Sequence, residues 1–144
     1  MTPGAGAMTG RHPAGTVVEL AYQWFHRAVA ALCLLFGLLY WVRLMGYYQG
    51  SLWRFDLMPV HWQVAAVSLA VLYPLAASGL WMLASWGAVI WTVCAVCEAA
   101  MHLGFPELYG PRPGVVAAHA GIGLVFLSFQ AALFVERRRR RKDD

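Results

Sequence analysis

The sequence predicts an all-α integral membrane protein, a four-helix bundle with both termini in the cytoplasm. The first observation behind this is an apolar run from His61 to Leu103 that contains a single charged residue, Glu98. A bilayer's hydrocarbon core is about 30 Å thick, and a helix rising 1.5 Å per residue needs about 20 residues to cross it. The run fits two crossings. The second observation is composition: 60% of the 144 residues are hydrophobic and 12% are charged. Soluble domains carry roughly 25% charged residues, and a chain so depleted would expose large sticky patches in water. Third, the runs are apolar on all faces. Barrel strands would alternate apolar and polar residues, so helices are the spanning element that satisfies the backbone in lipid.

Each element follows in order. Residues 1 to 16, rich in Gly, Ala, Pro and Thr, are expected to form a mobile tail ahead of a membrane domain over 17–136. The apolar stretch after the tail is too long and too aromatic for a signal peptide, and no cleavage site follows it, so no segment is expected to be removed. Span one covers about 18–44, with His26 and Arg27 near its start and Arg43 at its end. The loop Met45 to Pro59 interleaves Tyr47, Tyr48, Trp53 and Phe55 with Arg54 and Asp56, and is expected to lie along the head-group layer. Span two covers about 60–83. Pro74 inside it removes one backbone bond, which predicts a kink. Ser85-Trp86-Gly87 reads as the tight turn before span three, about 87–103. Gly104 to Gly114 is dense in Gly and Pro and reads as a loop. Span four covers about 115–135, and residues 137–144 form a basic tail.

Four spans put both termini on one side. That side holds Arg11, Arg27 and the tract Arg137 to Lys142, eight basic residues, against Arg43, Arg54 and Arg112 on the other. The positive-inside rule then places both termini in the cytoplasm. The net charge of +4 comes mainly from that terminal tract. It reads as an anchor to anionic lipid head groups rather than a nucleic-acid surface. The expected partners are the lipid bilayer and either another membrane protein or a second copy of the chain.

Glu98 is the first candidate for chemistry, because ionisable groups within a span are expensive to bury. It shares a helical stripe with Cys94 and His102. His119, at a matching depth on span four, can meet it, and His61 can join from the loop side. This candidate polar cluster, Glu98, His102, His119 and His61, has two readings: a proton path or metal shell, or polar glue that pins helices together. Haem b needs two histidines on different helices at matching depth, such as His102 with His119 or His61 with His102. Zinc would find the right ligand types in the same four residues, but their spacing follows no recognised pattern. No cofactor and no catalytic residue is predicted, and a metal is left open. Cys94 and Cys97 have redox spacing, yet they lie within lipid, where a thiolate is disfavoured. With Cys33, they read as small apolar fillers. A proton-coupled exporter would want an acidic residue deep in the first helix, where Glu19 stands only at the edge. Glu98 would have to take that role, with Pro74, Ser78 and Gly79 as a hinge.

Span four carries Ala117 and Gly121, small residues spaced by four that permit close helix approach. That face is expected to pack against another helix, in this chain or a neighbour.

The stretches Tyr40-Trp41-Val42-Arg43-Leu44, Leu52-Trp53-Arg54-Phe55-Asp56-Leu57-Met58-Pro59 and Ala76-Ala77-Ser78-Gly79-Leu80-Trp81-Met82-Leu83, with Ser85-Trp86-Gly87, carry a resemblance. The chain resembles an uncharacterised family of small four-helix inner-membrane proteins of alphaproteobacteria, over the four helices without the tails. The resemblance implies no activity, but it directs attention to Trp53, Arg54, Phe55 and Asp56 as a contact surface. The expected function is a non-enzymatic accessory or assembly subunit of a larger membrane complex, acting through that loop and span four. The alternatives are a redox or proton-handling protein and a small proton-coupled transporter.

Overall fold

Four helices long and apolar enough to cross a membrane account for most of the chain. The computed structural model describes residues 17–143, so the expected N-terminal tail lies outside the described residues. Helix α1 is Val17–Met45 and α2 is Val60–Trp81. Helix α3, Ser85–Ala99, continues into a wide π turn over Ala100–Gly104. A short helix α4, Pro106–Tyr109, precedes α5, Pro113–Asp143, and a single 3₁₀ turn, Phe55–Leu57, breaks the first loop. No strand occurs among the described residues. The apolar part of α5 ends at Val135.

The helices alternate in direction. Gly37 of α1 lies against the Pro74 ring of α2, while four residues further along α1 the Trp41 indole donates to the Ala70 carbonyl, four residues back on α2, at 3.0 Å. Pro74 does not end α2. Its ring fills the notch that Gly37 leaves, so the side chain missing from one helix makes room for the ring on the other. Helices α2 and α3 approach most closely at Gly79 and Gly87, where the backbones touch without intervening side chains.

Half of the α2 span is buried and none of the α5 span is. Helix α2 is therefore the hub, contributing Trp62, Ala66, Leu69, Ala70, Tyr73 and Ala76 to the core against Val29 and Cys33 of α1 and Trp91 and Cys94 of α3. Helix α5 leans on the bundle through aromatic contacts near the termini, where Phe129 meets Tyr22 at 5.9 Å and Phe25 at 5.4 Å between ring centroids.

Three expectations need correction. The turn between α2 and α3 falls at Met82-Leu83-Ala84 rather than Ser85-Trp86-Gly87, which instead forms the first turn of α3. Ala84 N–H closes on the Gly79 carbonyl and Leu83 N–H on Leu80, a capping pattern usually completed by glycine. Here Leu83 adopts it, with φ of 56°. The terminal basic tract continues α5 as helix to Asp143. Arginine and lysine are good helix formers, and the Arg138 guanidinium covers the Phe134 ring one turn earlier. Finally, the loop after α3 contains a helical turn, α4, started by Pro106 at its first position.

The glycine contact gives a sharp expectation. A Cβ at Gly79 would lie 2.5 Å from Gly87 Cα and 2.6 Å from Trp86 Cζ3, whereas one at Gly121 meets nothing within 4 Å. Gly79→Val should lower stability by about 2 kcal/mol or more, because backbone cannot yield as a side chain does. Gly121→Ala should stay within about 0.5 kcal/mol of the parent. Melting in a mild detergent distinguishes the two.

Candidate functional site

Each of the four long helices sends one side chain to a single point. Tyr40 of α1 donates its hydroxyl to Glu98 Oε1 at 2.8 Å. His119 of α5 holds Glu98 Oε2 at 2.8 Å through Nε2. The Tyr73 hydroxyl of α2 lies 3.3 Å from the same Nε2 and approaches the carboxylate as well. Glu98 itself is buried, 5% exposed, and Tyr73 is 1% exposed.

Helix geometry explains how residues at different heights converge. Side chains lean toward the N-terminus of their own helix. Helices α1 and α3 start at the termini end of the bundle, so Tyr40 and Glu98 lean inward from the loop end. Helix α2 starts at the loop end, so the long Tyr73 side chain, projecting from much deeper, leans up to meet them. Tyr40 and Tyr73 stack on the way, with ring centroids 6.0 Å apart.

The hydrogen positions follow from the partners. An ionised carboxylate only accepts, so Tyr40 donates, and His119 Nε2 carries a hydrogen when Glu98 is charged. When Glu98 is neutral its proton lies on the same short contact and Nε2 accepts. The pair thus holds one shared proton in either arrangement without losing the hydrogen bond. His119 Nδ1 is buried and has no partner.

The other two histidines do not join the pair. His102 Nδ1 donates to the Gly110 carbonyl at 2.9 Å. His61 Nε2 donates to the Leu108 carbonyl at 3.2 Å, beside Trp62 Nε1, also at 3.2 Å, and the Tyr109 hydroxyl returns to the His61 carbonyl at 3.1 Å. Both rings therefore fasten the 105–112 loop across the loop end of α2 and α3. Of the expected four-residue cluster, only Glu98 and His119 meet. Among the described residues, no three His, Cys, Asp or Glu side chains converge as a metal-holding group.

Beside the pair lies a cleft of about 110 Å³, walled by Tyr40, Arg43, Trp62, Glu98, His102 and Arg112 with Phe36, Leu39 and Val115 on its apolar side. Arg43 lies over the rings of Trp53, Tyr40 and Trp62 at 4.7, 5.4 and 5.7 Å from its guanidinium carbon.

The first loop turns at Gly50 and again over Phe55–Leu57. Arg54 grips Asp56 with two hydrogen bonds, 3.1 Å from Nε to Oδ1 and 2.7 Å from Nη2 to Oδ2. The Arg54 hydrogen bond holds the Asp56 carboxyl below its ordinary range, against an opposing effect of desolvation. Trp53 is engaged by Tyr48 and Arg43, and the Phe55 carbonyl accepts from Gln63, leaving the Phe55 ring and Asp56 outermost. On α5, Ala117 and Gly121 are exposed, so the small-residue face packs against no helix of this chain.

Sequence reasoning did not find Tyr40 and Tyr73. Tyr73 carried a signal: tyrosine favours the interfacial layer, and one placed mid-span must find a partner for its hydroxyl. Tyr40 carried none, since its depth is ordinary for an interfacial ring.

The fold and this cluster define an all-helical protein with four candidate membrane spans cross-linked by one buried carboxylate. The model of a family of unknown function, DUF6163, matches residues 20–137, and the chain belongs to that family. No curated protein and no solved structure matches it.

Two expectations follow. Tyr40→Phe should cost about 1 kcal/mol, the usual worth of a hydrogen bond between helices in a membrane, whereas Glu98→Ala should cost about 3 kcal/mol because it strands two buried partners, Tyr40 and His119. The double change Glu98→Leu with His119→Leu should recover much of that loss, as apolar replacement of a whole buried pair often does. Unfolding titrations in detergent measure all three. At the loop, the folded carboxyl of Asp56 lies below its unfolded value. The Arg54 contribution is therefore present above the ordinary carboxylate range and lost as pH falls through the lowered value. A ¹³C titration of Asp56 should move up toward that ordinary range in Arg54→Gln.

Proposed function

We propose that this chain is a small multi-pass protein of a bacterial inner membrane, with both termini cytoplasmic, that serves as a non-enzymatic accessory or assembly subunit of a larger membrane complex. The observation that carries the reading is α5: a span of 23 residues with none buried, held to its neighbours by the hydrogen bonds of His119 to Glu98 and Tyr73, one from Gln130 to Tyr22 and a few aromatic contacts. A helix so little used by its own bundle, with Ala117 and Gly121 facing outward, offers the close-approach surface that helix association in lipid favours. The exposed Phe55 and Asp56 edge of the first loop offers a second contact surface. The cytoplasmic side is argued from the excess of basic residues at the termini end.

A second reading has its own observation. Glu98 lines a cleft at the loop end, so the shared proton of the Glu98–His119 pair lies near a route to the water layer, as a proton-handling protein would require.

Purification of the full-length tagged protein in native lipid, with mass spectrometry, an absorption spectrum and metal analysis on one sample, tests both. The accessory reading expects a stoichiometric membrane partner that Gly121→Leu loses while the melting temperature holds. A lone, folded protein would contradict it. A Soret band, a stoichiometric metal or a pH-dependent activity removed by Glu98→Gln would replace it with the second reading. A fluorescent protein fused at the C-terminus should fluoresce and a phosphatase fused there should be inactive; the reverse would invert the topology.

A further inference from the structure

Two cations converge on the cleft beside Glu98 without a carboxylate of their own. Arg43 and Arg112 both line it. Among the described residues the ion pairs are Arg54–Asp56 and Glu98–His119, and neither arginine belongs to one. Arg43 is held by aromatic faces, Tyr40, Trp53 and Trp62, which fix the plane of its guanidinium and leave the N–H edges for a ligand. Arg112 ends the loop that His61, Trp62, His102 and Tyr109 pin by hydrogen bonds to and from its backbone neighbours. Four bonds to one short loop hold Arg112 at the cleft.

The charge count favours an anion. The charged groups facing the cleft are Arg43, Arg112 and Glu98, with His102 in the wall and His119 behind Glu98. With Glu98 matched by a protonated His119, the two guanidiniums are uncompensated. With His119 neutral, one positive charge still remains. Glu98 is occupied by Tyr40 and His119, so it presents little free acceptor capacity to repel a ligand at the mouth.

The shape favours a lipid. Helices α1 and α5 touch near the termini, through Tyr22 and Phe25 against Phe126 and Phe129. Toward the loop end the cleft lies between Phe36, Leu39 and Arg43 of α1 and Val115 of α5. Phe36 and Leu39 are 40% and 42% exposed, so this side opens toward the acyl layer, while the arginines sit at the ends of spans, at head-group height.

We propose that this cleft binds a phospholipid of the loop-side leaflet, its phosphate held between Arg43 and Arg112 and one acyl chain lying along Phe36, Leu39 and Val115. Guanidinium forks match phosphate oxygens in pairs. The site also explains why arginine, disfavoured on the side opposite the basic termini, occurs there twice at one place. The proposal stands whether or not the accessory reading does, because it uses neither α5's outward face nor a protein partner.

Native mass spectrometry of the full-length protein, titrated with phosphatidylglycerol, tests it. Binding of the first lipid should weaken roughly tenfold in Arg112→Gln, the loss of one charge-assisted contact pair, and stay unchanged in Arg54→Gln, whose arginine already has Asp56. Arg112 is exposed in a loop, so that variant keeps the fold; Arg43→Gln should show the same loss wherever it folds. Diacylglycerol, with the same chains and no phosphate, should bind at least tenfold more weakly than phosphatidylglycerol. Equal binding of the two, or equal losses in Arg112→Gln and Arg54→Gln, would overturn the site. Displacement of the lipid by equimolar inorganic phosphate would overturn the lipid as occupant and make the cleft a site for a soluble phosphate.

Discussion

A carboxylate buried among four helices apolar enough to cross a membrane has to be matched by the protein, because little solvent reaches it. At the centre of a membrane helix one charged residue costs about 3 kcal/mol on insertion scales, and Glu98, though nearer the loop end, is buried all the same. Glu98 obtains its relief from a phenol of α1 and an imidazole of α5, and a phenol of α2 lies against that same imidazole. Since each donor must arrive within hydrogen-bond distance, the rotation and height of every span are tied to this one group. Apolar packing in lipid supplies no comparable discrimination, since a leucine is as comfortable against an acyl chain as against another helix. The carboxylate specifies the arrangement that packing then fills in.

The packing around it is uneven in a way that suits this division of labour. Close contact is concentrated on α2, where Pro74 meets Gly37 on one side and Gly79 meets Gly87 on the other. Those two places bring backbones together and leave α1, α2 and α3 as a tight core. Helix α5 has no such contact, and Gly121 faces open space. The hydrogen bond from His119 to Glu98 therefore carries more of the attachment of α5 than any bond carries for the other spans. The histidines His61 and His102 belong to the same scheme one layer further out, since they hold the loop that leads into α5 rather than the carboxylate itself.

Much of this was legible in the residues. The four spans follow from length and hydropathy, because lipid leaves helices few alternatives, and the Glu98–His119 meeting follows from matching depth on consecutive antiparallel helices. The turn between α2 and α3 was misplaced because Ser85-Trp86-Gly87 has turn composition, while the actual turn uses Leu83 in a conformation that residue rarely adopts. Gly87 serves helix contact instead, a role that depends on a partner the local sequence does not reveal. His61 and His102 were grouped with Glu98 from residue type and approximate height. Their rings bond instead to carbonyls of the 105–112 loop, and backbone acceptors leave no mark in a sequence. Tyr73 was missed because its Cα is far below Glu98; only the length and lean of its side chain bring them together. The Arg43 and Arg112 pairing was likewise hidden, as the two are far apart in the chain and were counted only as topology charges.

The measurement closest to the central claim is a magic-angle-spinning NMR experiment on the protein in lipid bilayers. It would read dipolar dephasing between ¹⁵N of His119 and the ¹³C carboxyl of Glu98, and between that carboxyl and the Tyr40 hydroxyl carbon. Strong dephasing on both contacts, with the His119 Nε2 resonance shifting in Glu98→Gln, is the expected result. No dephasing between His119 and Glu98, together with a His119 resonance indifferent to Glu98→Gln, would mean that the carboxylate does not join the four helices.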